Sequence, residues 1–334
     1  MGGSVYTPST FTARAAAAKT TGKSLFAHNA AVSTGKAHGI HANLDPKKRN
    51  KNGELIRESR DSDIHPNSCA VWVNFDGTGS MRQHPELFAE KLAKLMEKIV
   101  KDGWLTNPHI LFSQNCDIWD DYPLQIGEFE GGNQMDDVLT NMIIQGGGGG
   151  PIESHEAYSL VLYMAAYHTK LDCVDKRGKK GYLFLLGDEL IHPELPPEYV
   201  KQVFDFDIDK PISREQLLED ASKKFDIHWI LPAGTMHFDD ENVVQPLKKW
   251  FGSNFHVLEV PDAVCELIAG IIAVNEGHDL DTVTAGIGSM GGGTKAVNAA
   301  SKALTTYVGS TGLTTTKAGS DTALVEVEDG AERL

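Results

Sequence analysis

Asp76, Thr78 and Ser80 put one carboxylate and two hydroxyls at alternate positions in the turn of "AVWVNFDGTGSM" (70–81), directly after an apolar run. In a tight turn at a strand end, alternate side chains point to one side. Carboxylate and hydroxyl oxygens are hard donors, suited to a small octahedral cation that retains several waters. Magnesium fits that description, with manganese or calcium in its place. A further acid in the same context is Asp188, which ends the apolar run "GYLFLLGD" (181–188). The plainer reading of the turn makes Asp76 a cap for the helix that follows.

Other chemistries fit less well. A nucleotide cradle needs a glycine loop followed by Lys-Ser or Lys-Thr. "AKTTGKS" (18–24) lacks the earlier glycine and the preceding strand, and the five glycines 146–150 run into Pro151 and Ile152 without a lysine. In "DFDID" (205–209), Lys210 replaces the glycine that a calcium loop requires. "NFDGT" matches the Asp-x-Asp-Gly-Thr of haloacid dehalogenase phosphatases except at its first place. There Asn74 stands for the nucleophilic aspartate, and an amide forms no aspartyl-phosphate. That magnesium-dependent hydrolase remains the alternative from another class, beside a structural subunit whose site stays empty. His38 and His41 have no further ligand near them in sequence. Asp117, Asp120 and Asp121 lie beyond a strand end and read as a solvated acidic loop or a rim, and His192 reads as a turn residue.

The elements that must position these residues are legible from periodicity. "CAVWVNF" (69–75), "HILFSQ" (109–114), "GYLFLLGD", "DIHWILP" (226–232) and "FHVLEV" (255–260) read as strands, the most apolar of them covered on both faces. Between them lie helical patterns. "PELFAEKLAKLMEKIVKDG" carries Leu87, Phe88, Leu92, Leu95, Met96 and Ile99 on one stripe, and "SREQLLEDASKKF" opens with a capping box, Ser213 and Gln216. Shorter helices are expected at "MDDVLTNMII", at 153–168, 241–251 and 262–275. Alternation of strand and helix without Asn-Gly hairpins predicts a doubly wound, mostly parallel α/β sheet flanked by helices. Ligands of such sheets bind at the carboxyl ends of the strands, where Asp76 and Asp188 stand. The expected organisation is an irregular extension over 1–67, this domain over 68–277, and a low-complexity, largely flexible tail over 278–334 with one weak helix, "TKAVNAASKALTTYV", inside it.

Composition narrows the partners. The chain has 334 residues and a formal net charge of −15, which disfavours phosphate backbones, so no nucleic acid is expected. No stretch approaches the roughly 20 apolar residues of a membrane helix, and no apolar leader opens the sequence. The four cysteines are widely spaced and read as reduced thiols of a cytoplasmic protein.

The Asp-x-Thr-x-Ser turn, the glycine-rich "GGGGGPIESHEAY" loop and the "LLGD" strand end, in that order, make residues 66–275 resemble a von Willebrand factor A (VWA) domain. That family carries a metal-ion-dependent adhesion site written Asp-x-Ser-x-Ser, with Thr tolerated at the middle place. The resemblance implies a Rossmann-like VWA fold in which Asp76 anchors the cation, Thr78 and Ser80 supply hydroxyls, and Asp188 binds through water. The family's second-loop threonine has no counterpart between Gln145 and His155, so Glu153, Ser154 or a water takes its place. The implied function is binding, with no enzyme activity: another protein's carboxylate completes the octahedron. An adaptor beside an AAA+ ATPase or within a multiprotein assembly is the partner class suggested by intracellular members.

Overall fold

The computed structural model describes residues 26–92, 95–101, 103–144, 155–289 and 293–313, with a few single residues before 26. Its centre is a six-stranded sheet. We number the strands β1 (Cys69–Asp76), β2 (Pro108–Asn115), β3 (Leu124–Ile126), β4 (Gly181–Leu186), β5 (Phe225–Pro232) and β6 (Phe255–Leu258). Their spatial order is β6-β5-β4-β1-β2-β3, parallel throughout except for the antiparallel edge pair β2–β3. The fold is a mixed α/β, Rossmann-like sheet with helices on both faces.

The apolar strand runs work on two sides at once. Val71, Val73 and Phe75 of β1 join Phe112, Phe184 and Ile230 in one core, while Trp72 joins Leu111, Leu183, Leu185 and Trp229 in the other. Alternate residues of a strand face opposite sides, so a strand covered by both helical layers has no polar face to show. The first core is closed by α2 (His84–Leu92), α3 (Leu95–Lys101) and α10 (Val264–Asn275). The second is closed by α5 (Tyr158–Tyr167), α8 (Arg214–Ser222) and α9 (Glu241–Phe251). The capping box forms as read: Ser213 Oγ accepts from the backbone N–H of Gln216 at 3.2 Å.

Two boundaries differ from the sequence reading. The stretch from 278 was expected to be largely flexible, yet α11 (Leu280–Ser289) and α12 (Gly293–Thr311) are helices packed on α10. Ala296, Ala300, Leu304 and Tyr307 recur at helical spacing and are buried. The packing works because the surfaces are small: a Cβ at Gly270 of α10 would overlap Leu304, so the missing side chain is what lets α12 approach. Residues 314–334 lie outside the described residues. The extension before residue 68 is likewise partly built into the domain. Arg57–Ser59 pairs with Thr169–Leu171, and the buried Arg57 guanidinium donates to the carbonyls of Asp45, Lys48 and Gly127. Among the described residues no helix is long and apolar enough to cross a membrane.

If α12 is part of the folded core, Leu304→Ala removes a buried side chain and lowers unfolding free energy by about 2–5 kcal/mol. Urea denaturation reads this; a loss within about 0.5 kcal/mol is the expectation for a loose tail.

Candidate metal centre

Strand order decides where the site falls. The chain winds outward from β1 to β2 and β3, then crosses back to β4 on the other flank of β1. The crevice between the carboxyl ends of β1 and β4 is therefore a switch point of the sheet, the place where such folds bind ligands. Phe75 of β1 pairs with Leu186 of β4, so Asp76 and the Gly187–Asp188 pair emerge side by side.

The three turn residues and Asp188 come together in one buried hydrogen-bond set. Asp76 Oδ1 accepts from the Thr78 backbone N–H and from Thr78 Oγ1, both at 2.7 Å. Thr78 Oγ1 and Ser80 Oγ are 3.0 Å apart, and Ser80 Oγ donates to Asp188 Oδ1 at 2.8 Å. Asp76 thus closes a turn onto Thr78 and does not cap α2, which begins eight residues later at His84. Hydroxyl protons directed at carboxylates leave oxygen lone pairs for a cation.

Four more residues that sequence reasoning missed complete the site. Glu189 lies beside Asp188, and its Oε2 is 3.2 Å from Ser80 Oγ. Carboxylate oxygens of Asp76, Asp188 and Glu189 all lie within 4.8 Å of one another. Tyr158, at the start of α5, donates its hydroxyl to Asp76 Oδ2 at 2.7 Å. Glu156 is buried close enough to Asp76 and Glu189 for their charges to act on it, and its Oε2 has no hydrogen-bond partner. His237, in the loop after β5, donates its backbone N–H to Asp188 Oδ2 at 3.0 Å and holds Nε2 3.3 Å from Glu189 Oε1. The adjacent acids of "GDEL" were the one signal available for Glu189; Glu156 and Tyr158 lie at the end of the quoted "GGGGGPIESHEAY" loop but were not singled out, and His237, far off in sequence, carries no signal.

Glu153, Ser154 and the glycines 146–150 lie outside the described residues. Asp117 is not a freely solvated acid, since its Oδ1 is 2.8 Å from His192 Nε2, and His192 is thereby that acid's partner as well as a turn residue. Asn74 Nδ2 donates to Asn115 Oδ1 at 2.6 Å and its Oδ1 accepts from Ser113 at 2.7 Å, so the amide at the phosphatase-nucleophile position is tied into the sheet.

The electrostatics identify what is missing in charge terms. Burial and the neighbouring Asp188 and Glu189 push the Asp76 carboxyl well above the usual carboxylate range. Burial raises Glu189, and burial with the Asp76 charge raises Glu156. Among the described residues, the ion pair from His237 is the only one made to any of these four carboxylates. Without a cation the cluster must retain protons. Carboxylates and hydroxyls fit a hard divalent ion, and none of the donors is a soft thiolate.

Comparison with protein-family profiles and with curated sequences gives no match to this chain. Solved structures do resemble it. The pilus adhesin SpaC from Lactobacillus rhamnosus GG, in an open conformation, aligns at 12% identity and TM-score 0.43, over 67% of this chain and 32% of the adhesin. Proximal thread matrix protein 1 from the mussel byssus, with a zinc-occupied MIDAS motif, aligns at 9% identity and TM-score 0.39, over 62% of this chain and 47% of that one. The chain therefore spans between a third and a half of the proteins it resembles.

Raised carboxyl pKa values set the sign of the pH dependence. Groups whose folded pKa exceeds the unfolded value, about 4, hold protons that the unfolded chain has released. Stability in chelator therefore falls as pH rises above that range, and Asp76→Asn flattens this slope and raises the midpoint. Magnesium at about 100 times its dissociation constant adds about 2.7 kcal/mol. Because the ion requires ionised oxygens, its increment grows with pH. Thermal melts of both proteins from pH 5 to 8, with chelator and with magnesium, check all of these signs.

Proposed function

We propose that this protein is a metal-dependent protein-interaction module. Asp76, Thr78, Ser80 and Asp188 hold a divalent cation at the sheet's switch point, and an acidic side chain of a partner protein completes its coordination. The observation that carries this is the convergence of two separate strand ends, with no lysine or arginine paired to them among the described residues, on one set of hard oxygen donors. Bound there, the cation supplies a Lewis-acidic corner. The chain's own residues supply its placement: Thr78 and Ser80 orient their lone pairs through hydrogen bonds to Asp76 and Asp188, and Tyr158 fixes the far oxygen of Asp76.

Binding is favoured over catalysis by the same geometry. Among the described residues no imidazole nitrogen hydrogen-bonds to the Thr78 or Ser80 hydroxyl, so neither is activated in the way of a His-paired nucleophile. The turn's hydroxyls are instead committed to orienting carboxylates. Magnesium is the expected ion, with manganese or calcium as substitutes, and a subunit of an AAA+ or other multiprotein assembly is the expected partner class. Residues 153–154 remain the proposed second-loop contribution.

Affinity capture with the full chain tests the reading. A partner retained in magnesium, and released at least tenfold by chelator or by Asp76→Ala or Ser80→Ala, is expected. Equal retention in all conditions, with no magnesium heat in titration calorimetry, refutes it.

A further inference from the structure

The number of acids at this centre exceeds what an open cation site needs. A divalent ion with Asp76 and Asp188 is formally neutral, and a partner's carboxylate adding to it produces a single negative charge. Glu189 already supplies that charge from within: its Oε2 is 3.2 Å from Ser80 Oγ, and its oxygens share the Asp76–Asp188 cluster. Glu156 is more than nine-tenths buried, and its Oε2 lacks any hydrogen-bond partner, so a further acid reaches toward the same group. A guest acid added on top would raise the negative charge in a region where Asp76 and Asp188 are fully buried, which is the costly way to place charge.

We propose that Glu189 is a built-in ligand of the cation, standing in the coordination corner that a partner's acid takes, so that the partner binds by displacing it. This rests on the cation reading above and adds how the site is regulated. Exchange of one carboxylate for another leaves the charge of the centre unchanged, whereas addition does not. The displaced Glu189 has somewhere to go. His237 Nε2 is 3.3 Å from Glu189 Oε1, the carboxylate oxygen other than the one near Ser80, and would receive the carboxylate on displacement. The loop that carries His237 also presents Met236, 61% exposed, whose backbone N–H donates to the Ser80 carbonyl at 3.0 Å. The partner of this site is thus a protein whose acidic residue is flanked by an apolar side chain. The acid takes the corner, and the apolar neighbour covers Met236 and presses on the loop that receives Glu189. A site that is open only a fraction of the time lowers apparent affinity by that fraction.

Titration calorimetry with magnesium alone, and thermal melts with acetate as a probe acid, test the assignment on the full chain. Glu189→Gln removes the charge, and Glu189→Asp keeps the charge but shortens the reach. If Glu189 is a ligand, both weaken magnesium binding by about tenfold or more. Acetate then raises the melting midpoint of magnesium-loaded Glu189→Gln and leaves that of the wild type unchanged. Melts in chelator verify folding, since removing a crowded buried charge does not cost the cation-free protein stability. Wild-type magnesium affinity in both variants overturns the assignment while leaving the cation site standing. Wild-type affinity in Glu189→Asp alone makes Glu189 a distant charge and overturns it as well. An absence of magnesium binding by the wild type refutes the cation reading itself.

Discussion

Like charges confined together without water are the constraint around which this end of the molecule is built. Two unit charges about 4 Å apart interact by about 4 kcal/mol at an effective dielectric of about 20. The three clustered carboxylates, with Glu156 against them, impose several such terms, and only His237 answers with an ion pair. Such an arrangement persists only if protons or a metal cation neutralise it, and only if the backbone beneath it cannot spread. The fold meets the second condition by brute burial: every residue of β1, β2 and β4 is buried.

Beneath the turn the sheet is locked by polar links as well as by apolar packing. Trp72 Nε1 donates to Ser113 Oγ at 2.7 Å, Ser113 to Asn74, and Asn74 to Asn115, whose backbone carbonyl accepts from Gly77 at 2.8 Å. That chain crosses between β1 and β2 and ends one residue from Asp76. On the other flank Tyr158 reaches Asp76 across Gly187, where any Cβ would overlap its hydroxyl. Trp229 supports the same ring at 4.7 Å and donates to the Gly187 carbonyl. Fully satisfied buried networks of this kind favour one arrangement of the groups they carry. The Asp76 oxygens are therefore set before any ion or partner arrives.

Much of this was legible in the sequence because periodicity reports burial. Near-continuous apolar runs named five strands of the sheet, and the acids that follow two of them named the crevice. The edge strand β3 is only three residues long, and its "LQI" has no periodicity to read. The C-terminal stretch was misjudged for a different reason: "TKAVNAASKALTTYV" reads as a weak helix, but not as one that packs on the core. Its apolar residues are few and mostly small, so composition resembles a linker, and only packing in the fold, with Leu304 seated on Gly270, turns Ala296, Ala300 and Leu304 into core. The loop that ends in Glu156 and Tyr158 was legible as a site segment, but which of its residues reach Asp76 was not, and His237 was out of reach altogether. His237 is brought to Asp188 and Glu189 by the crossing of the chain over the sheet, a tertiary fact with no local signature.

In the arrangement we propose, the excess of acids would change how the centre discriminates between guests. A cation held by Asp76 and Asp188 alone would attract any carboxylate in solution, abundant small anions included. With Glu189 in place the guest has to outcompete a tethered carboxylate whose entropy of attachment was lost when the chain folded. A free small acid has no such advantage and loses the exchange. A partner protein regains it by contacts outside the metal, and the exposed Met236 beside His237 is the surface nearest to hand for them. On that proposal, selectivity would reside in the rim and cation retention in the buried acids. Neither the two hydroxyls nor the shape of the turn needs to change for the centre to become specific.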